Sequence, residues 1–498
     1  MKQKTEKAAP ALLEKKLMKS RPGWETQPKE RLSYYLYFAG QNAIYALKAN
    51  YFVQYLSFVM TTDTEKAWQP IIILIAGIWD AVNDVIFGLI FDKVRFKSKQ
   101  KYLPWLKISL PFIPATTILL FAIPSGSSAA VKLAWLAIAH VLWDAAYTLC
   151  DVPIFGIITA MTKNLDERTT ALSYKSIWSG IGSGVAILAG TVLVGKDIAL
   201  NYTVVAIVCA VFAILTMIPA CLKLKERYEG EDEENFTLKR MFKYLLSNKY
   251  LLIYYLGYFF YSSANVFNLI NLYAAFYFYH NEQLSLVAQI CSIVPSLVAA
   301  LLVPHILRKF EKMKVFRFCA LLAIAASVVM WIPGYDSLVW FIVMTVVRSV
   351  PMSVVGVMLF MFTPDCAEYG LYKTGVDAKG ITFSIQTFMV KITATISSVI
   401  VSLFYSLKWV GWKTYTDPAT GKALENFADL AKHNATQEPQ TLKYLWFLYV
   451  MVPAIGYAIA YVIWRFYKLK DKDVQIMIDC NVGKISKEEA ESSFSMKY

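Results

Sequence analysis

Trp68-Gln69-Pro70-Ile71-Ile72-Ile73-Leu74-Ile75-Ala76-Gly77-Ile78-Trp79-Asp80-Ala81-Val82-Asn83-Asp84-Val85-Ile86-Phe87-Gly88-Leu89-Ile90-Phe91 is a helix-length run broken only by a few polar residues. At 1.5 Å per residue it can cross a hydrocarbon core of roughly 30 Å. Asp80 and Asp84 are four residues apart, which puts both carboxylates on one helical face with Asn83 beside them. The stretch reads as a membrane span that carries chemistry. Comparable runs flank it, about twelve in all: 32–60, 68–91, 103–123, 131–161, 171–194, 201–222, 251–279, 284–307, 315–332, 338–362, 380–407 and 444–466. The expected fold is therefore an all-α membrane protein.

Composition agrees, because 57% of the 498 residues are hydrophobic and only 17% are charged, far from the balance of a water-soluble chain. The net charge of +14 does not point to nucleic acid, since the Lys and Arg residues crowd the connections between apolar runs, where juxtamembrane loops belong. Residues 1–31 are charged and followed by a run long enough to stay in the bilayer, so no cleaved secretory leader is expected. Cysteines are scattered, with Cys150, Cys209, Cys291 and Cys319 inside apolar runs. That spacing predicts neither disulfides nor a zinc site.

The hydrophilic break at 223–249 holds the acidic run Glu231-Asp232-Glu233-Glu234 and divides the chain. The expected organisation is a cytoplasmic N-terminal tail at 1–31, a six-helix bundle at 32–222, a cytoplasmic central loop at 223–249, a second six-helix bundle at 250–466 and a cytoplasmic C-terminal tail at 467–498. Sidedness follows from positive charge, which the insertion machinery retains in the cytoplasm. Lys93, Arg95, Lys97, Lys99 and Lys101 follow the second span, and Arg308, Lys309, Lys312, Lys314 and Arg317 follow the eighth. Both loops are expected to face the cytoplasm, and the long polar loop at 409–442 to face out.

Ionisable groups inside spans are costly when unpaired, so each is a candidate for function. Paired acids such as Asp80 and Asp84 can hold sodium with oxygen ligands, or share a proton when mutual repulsion raises one of them. In the fourth span Asp144, Thr148 and Asp151 form one stripe that Phe155 continues. A carboxylate with an aromatic ring one turn away suits a sugar, the acid accepting from hydroxyls while the ring covers the apolar face. The competing reading is a set of buried salt bridges with Lys48, Lys175, Arg348 and Lys391 as partners. Two acids on one turn are a poor way to make a single bridge, so the second-span pair favours function. His140, His280, His305 and His433 are dispersed and compose no nucleophile, base or metal set, which argues against a bilayer-embedded enzyme.

At these residues the sequence resembles a family, the glycoside-pentoside-hexuronide cation symporters, of which melibiose permease is the type. Trp79-Asp80-Ala81-Val82-Asn83-Asp84 is similar to the family's cation-binding helix. Gly88-Leu89-Ile90-Phe91-Asp92-Lys93-Val94-Arg95 resembles the loop motif of the wider major facilitator superfamily. Tyr147-Thr148-Leu149-Cys150-Asp151-Val152-Pro153, Asp166-Glu167-Arg168-Thr169, Asp365-Cys366-Ala367-Glu368-Tyr369-Gly370 and Gln386-Thr387-Phe388-Met389-Val390-Lys391 follow in the family's order. The resemblance implies the major facilitator fold, two six-helix bundles and alternating access. It also implies roles: Asp80, Asn83, Asp84 and Thr148 as cation ligands, with sodium possible at Asp80 and Asp84, Asp151 and Phe155 as sugar contacts, and Lys391 as a coupling counter-charge. Gly88, Asp92, Lys93 and Arg95 would form the conformational loop.

Three positions depart from melibiose permease. A galactoside-binding acid there aligns with Asn42, an arginine with Ser176 next to Lys175, and a tryptophan with Gly356. Lys48, Asp144 and Arg348 are charged where melibiose permease is not. One acid lost and two cations gained make the binding region less hostile to an anion. The expectation is a sodium- or proton-coupled symporter of a sugar or glycoside, with a uronide as one candidate cargo and Asn42, Asp144, Asp151, Phe155, Lys175 and Arg348 in the substrate set. The coupling ion is the sole cofactor expected. The expected partners are the solute and the cell-membrane bilayer, without nucleic acid, and a monomer suffices. The alternatives are symport of another amphipathic solute, such as a lipid or drug-like glycoside, and a membrane sensor.

Overall fold

The computed structural model describes residues 24–94, 96, 98, 100–195, 197–198, 200–228, 238–375, 379–419 and 421–496. They are helical throughout, apart from a single bridge between Thr416 and Ala423. In chain order the helices of the first half are α1 (Pro28–Val59), α2 (Asp63–Lys93), α3 (Leu103–Leu120), α4 (Ala129–Met161), α5 (Leu165–Leu188, extended by a π-helical turn at Ala189–Leu193) and α6 (Tyr202–Lys223). The second half begins with α7 (Leu238–Ser247), α8 (Lys249–Ser263), α9 (Phe267–Tyr279), α10 (Leu284–Leu307), α11 (Lys312–Trp331), α12 (Leu338–Met358) and α13 (Phe362–Thr374). It ends with α14 (Lys379–Ser406), α15 (Phe427–Lys432), α16 (Pro439–Trp464), α17 (Asp471–Asn481) and α18 (Lys487–Ser493). Among the described residues, eight helices are long and apolar enough to cross a membrane by length and composition. The helices α1 and α2 exceed that length but carry the polar residues that dilute their hydropathy.

One expected span is broken, and another ends a turn early. The 251–279 run divides at Ser263, where Ser262, Ser263 and Asn265 offer the backbone local alternatives to helical bonding. Carbonyls freed in an apolar environment need donors. The Ser397 hydroxyl supplies one, 3.2 Å from the Ser262 oxygen and 2.9 Å from that of Ser263. Gly456 makes the bend possible, since a Cβ there would strike Ala264 and the Phe260 carbonyl. The 338–362 run likewise stops at Met358, and the Tyr254 hydroxyl donates to the Leu359 carbonyl.

The helices gather into two compact units. The first holds residues 1–68, 82–233 and 414–435. Its centre is α1, which packs along α5 and α6 at small residues: a Cβ on Gly182 would collide with the Ala39 backbone, and one on Gly40 with that of Ala213. Such stripes let membrane helices approach closely. The α2 N-terminus carries a capping box between Thr62 and Glu65, and Glu65 also pairs with buried Lys132 at 3.3 Å. The loop segment 414–435 belongs to this unit because Phe427, fully buried, sits edge-on to Phe58 at 5.8 Å between centroids and donates its N–H to the Val194 carbonyl.

Charged groups close one end of the first unit. Glu226 accepts the backbone N–H groups of Lys101, Tyr102 and Leu103 at 2.6–2.9 Å, an anion at the α3 N-terminus. Arg168 covers the last carbonyls of α4 through Thr162 at 2.7 Å and Thr159 at 3.2 Å. Glu167 fastens the chain entering α1, accepting from the backbone of Glu25 and Thr26, the Thr26 hydroxyl and Arg31. Burial works to raise its carboxyl, but the bonds from Thr26 and Glu25 prevail and hold it below the usual range.

The second unit holds residues 69–81, 234–413 and 436–498. Its core is aromatic, with Tyr254, Tyr255, Tyr261, Phe316, Phe362, Tyr457 and Trp464 buried together. The central-loop region contributes α7, and the C-terminal tail contributes α17 and α18, whose Val474, Met477 and Ala490 are buried. Asp471 accepts the Lys312 N–H at 2.8 Å, and Asn481 donates to Glu368 at 2.9 Å.

Packing at α1 predicts a sharp local contrast. Gly182→Val should lower stability by about 1–3 kcal/mol through overpacking, whereas Gly180→Val, with open space around it, should leave the melting temperature of the detergent-purified protein within error of wild type.

Candidate functional site

In the first unit, Asn83, Asp84 and Thr148 form one polar cluster. Asn83 on α2 is fully buried and donates through Nδ2 to the Thr148 hydroxyl at 2.8 Å and the Asp144 carbonyl at 3.3 Å. A carbonyl can only accept, so it fixes which way the amide faces. Thr148 in turn reaches Asp84 Oδ1 at 3.0 Å. Asn83 Oδ1 is buried and has no hydrogen-bond partner among the described residues. An orphaned amide oxygen in hydrocarbon is expensive. With Thr148 and Asp84, Asn83 adds an amide oxygen to a hydroxyl and a carboxylate, the oxygen types that a small cation takes as ligands.

Asp80, one turn earlier, lies in the 69–81 stretch that packs in the second unit. Lys391 on α14 meets it at 3.1 Å, with both side chains about one-fifth exposed. Gly77 makes the approach possible, because a Cβ there would overlap Thr395, one turn beyond Lys391. On one turn of α2, Asp80 meets an ammonium and Asp84 meets a hydroxyl.

The substrate-side candidates of the first unit converge. Asp151 on α4 accepts from Gln41 Nε2 at 2.6 Å. Phe155, one turn later and 41% exposed, meets Phe38 at 5.5 Å between centroids. The Lys175 ammonium lies 4.3 Å from the Phe155 centroid and 5.0 Å from that of Phe38. Asn42 donates to the Phe38 carbonyl and the Ser179 hydroxyl, both at 3.0 Å. An acid, an amide, an ammonium and a half-exposed ring thereby line one region built from α1, α4 and α5. Sequence reasoning missed Gln41 and Ser179, although a glutamine beside Asn42 in mid-span was the available signal.

Two other candidates are engaged differently. Lys48 meets Asp144 at 2.5 Å and lies 3.9 Å from the Trp143 centroid, with His140 Nε2 3.8 Å from the same carboxylate. This pair holds α1 to α4 one turn from Thr148. Arg348 on α12 is 3% exposed; it donates to the Tyr449 carbonyl at 3.2 Å and lies against the rings of Tyr449 and Phe267. It belongs to the second unit. Ser176 is exposed and bonds to its own helix through the Leu172 carbonyl. In the loop motif, Gly88, Asp92 and Lys93 fall on the last turns of α2, and Arg95 lies outside the described residues.

Comparison with known proteins bears on the family and the fold. Residues 33–471 match the family described as MFS/sugar transport protein. An isoprimeverose transporter of Lactiplantibacillus pentosus is 22% identical over 461 residues, covering 90% of each chain. A putative sulfoquinovose importer of Salmonella typhimurium is 25% identical over 66% of this chain and 70% of its own. Among solved structures, the nucleoside transporter NupG superposes with a TM-score of 0.60 over 89% of this chain and 100% of that one, at 12% identity. The last likeness concerns the fold alone.

The Lys48–Asp144 pair yields a stability test. Lys48→Met leaves a buried carboxylate without its ammonium and should cost about 3 kcal/mol. Asp144→Leu added to Lys48→Met removes the stranded charge and should recover most of the loss in thermal unfolding.

Proposed function

The chain belongs to the MFS/sugar transport protein family, and on that premise we propose that it is a cation-coupled symporter of an acidic sugar, with sodium as the coupling ion. It is a multi-pass membrane transporter rather than an enzyme. The observation that carries the ion half is the Asn83, Thr148 and Asp84 cluster, in which Asn83 Oδ1 is buried without a hydrogen-bond partner among the described residues. A proton needs only a carboxylate. Sodium needs several oxygens to replace its water, which an amide and a hydroxyl beside the carboxylate can supply. In this reading Lys391 neutralises Asp80 while the cation is absent, and both termini face the cytoplasm.

The sugar half rests on Asp151, Asn42, Phe155 and Lys175. Asp151 and Asn42 bond to sugar hydroxyls, Phe155 covers the apolar ring face, and Lys175 meets the acidic group. Lys175 takes the role that Lys48 was expected to share, since Lys48 is held by Asp144. A relative named for isoprimeverose and another named for sulfoquinovose support a sugar as the solute.

Proteoliposomes test both halves. Uptake of a labelled uronide should follow an imposed sodium gradient in wild type and lose that dependence in Asp84→Cys. Asn83→Leu should raise the half-saturating sodium concentration about tenfold or more, the scale on which groups supporting a bound ion act; unchanged sodium dependence in Asn83→Leu, with uptake driven equally by a proton gradient, overturns sodium as the ion. Lys175→Gln should weaken uronide uptake about tenfold or more relative to a neutral glycoside, as expected for a hydrogen bond to a charged group. Equal effects on both sugars would remove the acidic-sugar assignment.

A further inference from the structure

One cavity of the second unit is lined by none of the residues assigned to the ion or the sugar. Its volume is about 750 Å³, and it opens where α8 begins and α16 has just ended, so both helices bring it to the same membrane surface. Lys249, Lys373 and Lys468 line it, all exposed, and no acidic side chain of the described residues does. Below the lysines its wall is apolar, with Ile253 and Leu256 from α8 and Phe466 from the end of α16. Leu256 is 48% and Phe466 63% exposed. The floor is rigid: Tyr250 and Tyr369 are nearly buried and meet edge to face at 4.8 Å between centroids.

We infer that this groove binds one anionic phospholipid of the adjoining leaflet, its phosphodiester held by Lys249, Lys373 and Lys468 and an acyl chain lying along Ile253, Leu256 and Phe466. Charge complementarity selects the occupant. Three ammonium groups line one recess and attract a phosphate, and basic recesses between helices at a membrane surface are where anionic headgroups settle. The apolar wall distinguishes a lipid from a free ion, since inorganic phosphate would leave Leu256 and Phe466 uncovered. Sequence just ahead of the groove agrees, because α7 combines Lys239, Arg240 and Lys243 with Leu238, Met241 and Phe242, the composition of a helix that lies in an anionic interface.

The test uses the full-length protein in nanodiscs of phosphatidylcholine or of phosphatidylcholine with phosphatidylglycerol, with retained lipid counted by native mass spectrometry. Wild type should retain one phosphatidylglycerol in preference to phosphatidylcholine. Each Lys→Gln change should weaken that preference about fivefold, and Lys249→Gln, Lys373→Gln and Lys468→Gln together on the order of a hundredfold. Melting temperature in pure phosphatidylcholine should be unchanged in the triple variant, which separates lost lipid from lost folding. Leu256→Ala with Phe466→Ala should weaken lipid retention while leaving the lysines in place. Equal retention of both lipids by wild type overturns the inference. So does competition by inorganic phosphate alone at comparable concentration. A third overturning result is phosphatidylglycerol binding that appears only after Glu231, Asp232, Glu233 and Glu234 are changed to Gln, because the groove would then hold the chain's own acidic run.

Discussion

A carboxylate in hydrocarbon must have a partner at every moment, and that constraint organises this protein from α2 outward. Asp80 and Asp84 share a helical face, and each is met by a different helix. An ammonium from α14 serves one, and a hydroxyl from α4 serves the other. The hydroxyl is itself held by Asn83, and Asn83 is oriented by the Asp144 carbonyl, which the Lys48–Asp144 pair fixes against α1. Each step transfers the positional demand of one buried charge to another helix.

This dependence explains which residues could be read without coordinates. Asp80, Asp84 and Lys391 announce themselves, because a charge inside an apolar span has to be paired or put to use. The positions of the spans were legible for the same reason, since hydrocarbon thickness sets their length. The convergence of Asn42, Asp151, Phe155 and Lys175 followed from helical spacing within α4 and from family resemblance across α1 and α5. Gln41 was not legible. A neutral amide is cheap enough in a span to pass as helix-to-helix glue, and only its 2.6 Å bond to Asp151 gives it a task.

Other features lay beyond sequence reading for different physical reasons. The break after Ser263 depends on a serine in α14, more than a hundred residues away in the chain, offering its hydroxyl at the right height. No local propensity encodes that. The partners of Lys48 and Arg348 were likewise ambiguous, because a long side chain can reach an interface, an acid or a ring from the same position. The structure gives Lys48 an acid, and it gives Arg348 a carbonyl and two aromatic faces.

The loop helix α15 has a consequence for how such a protein can be taken apart. Residues 414–435 are encoded between α14 and α16 but fold with the first unit, where Phe427 fills a place against Phe58. A fragment ending in the 223–249 linker would therefore present an empty socket at Phe58 and Val194. Exchange of halves between this chain and a relative would join one protein's socket to the other's plug. The two halves of the gene are not interchangeable cassettes, and a functional chimera has to carry the 414–435 segment from the same parent as α1.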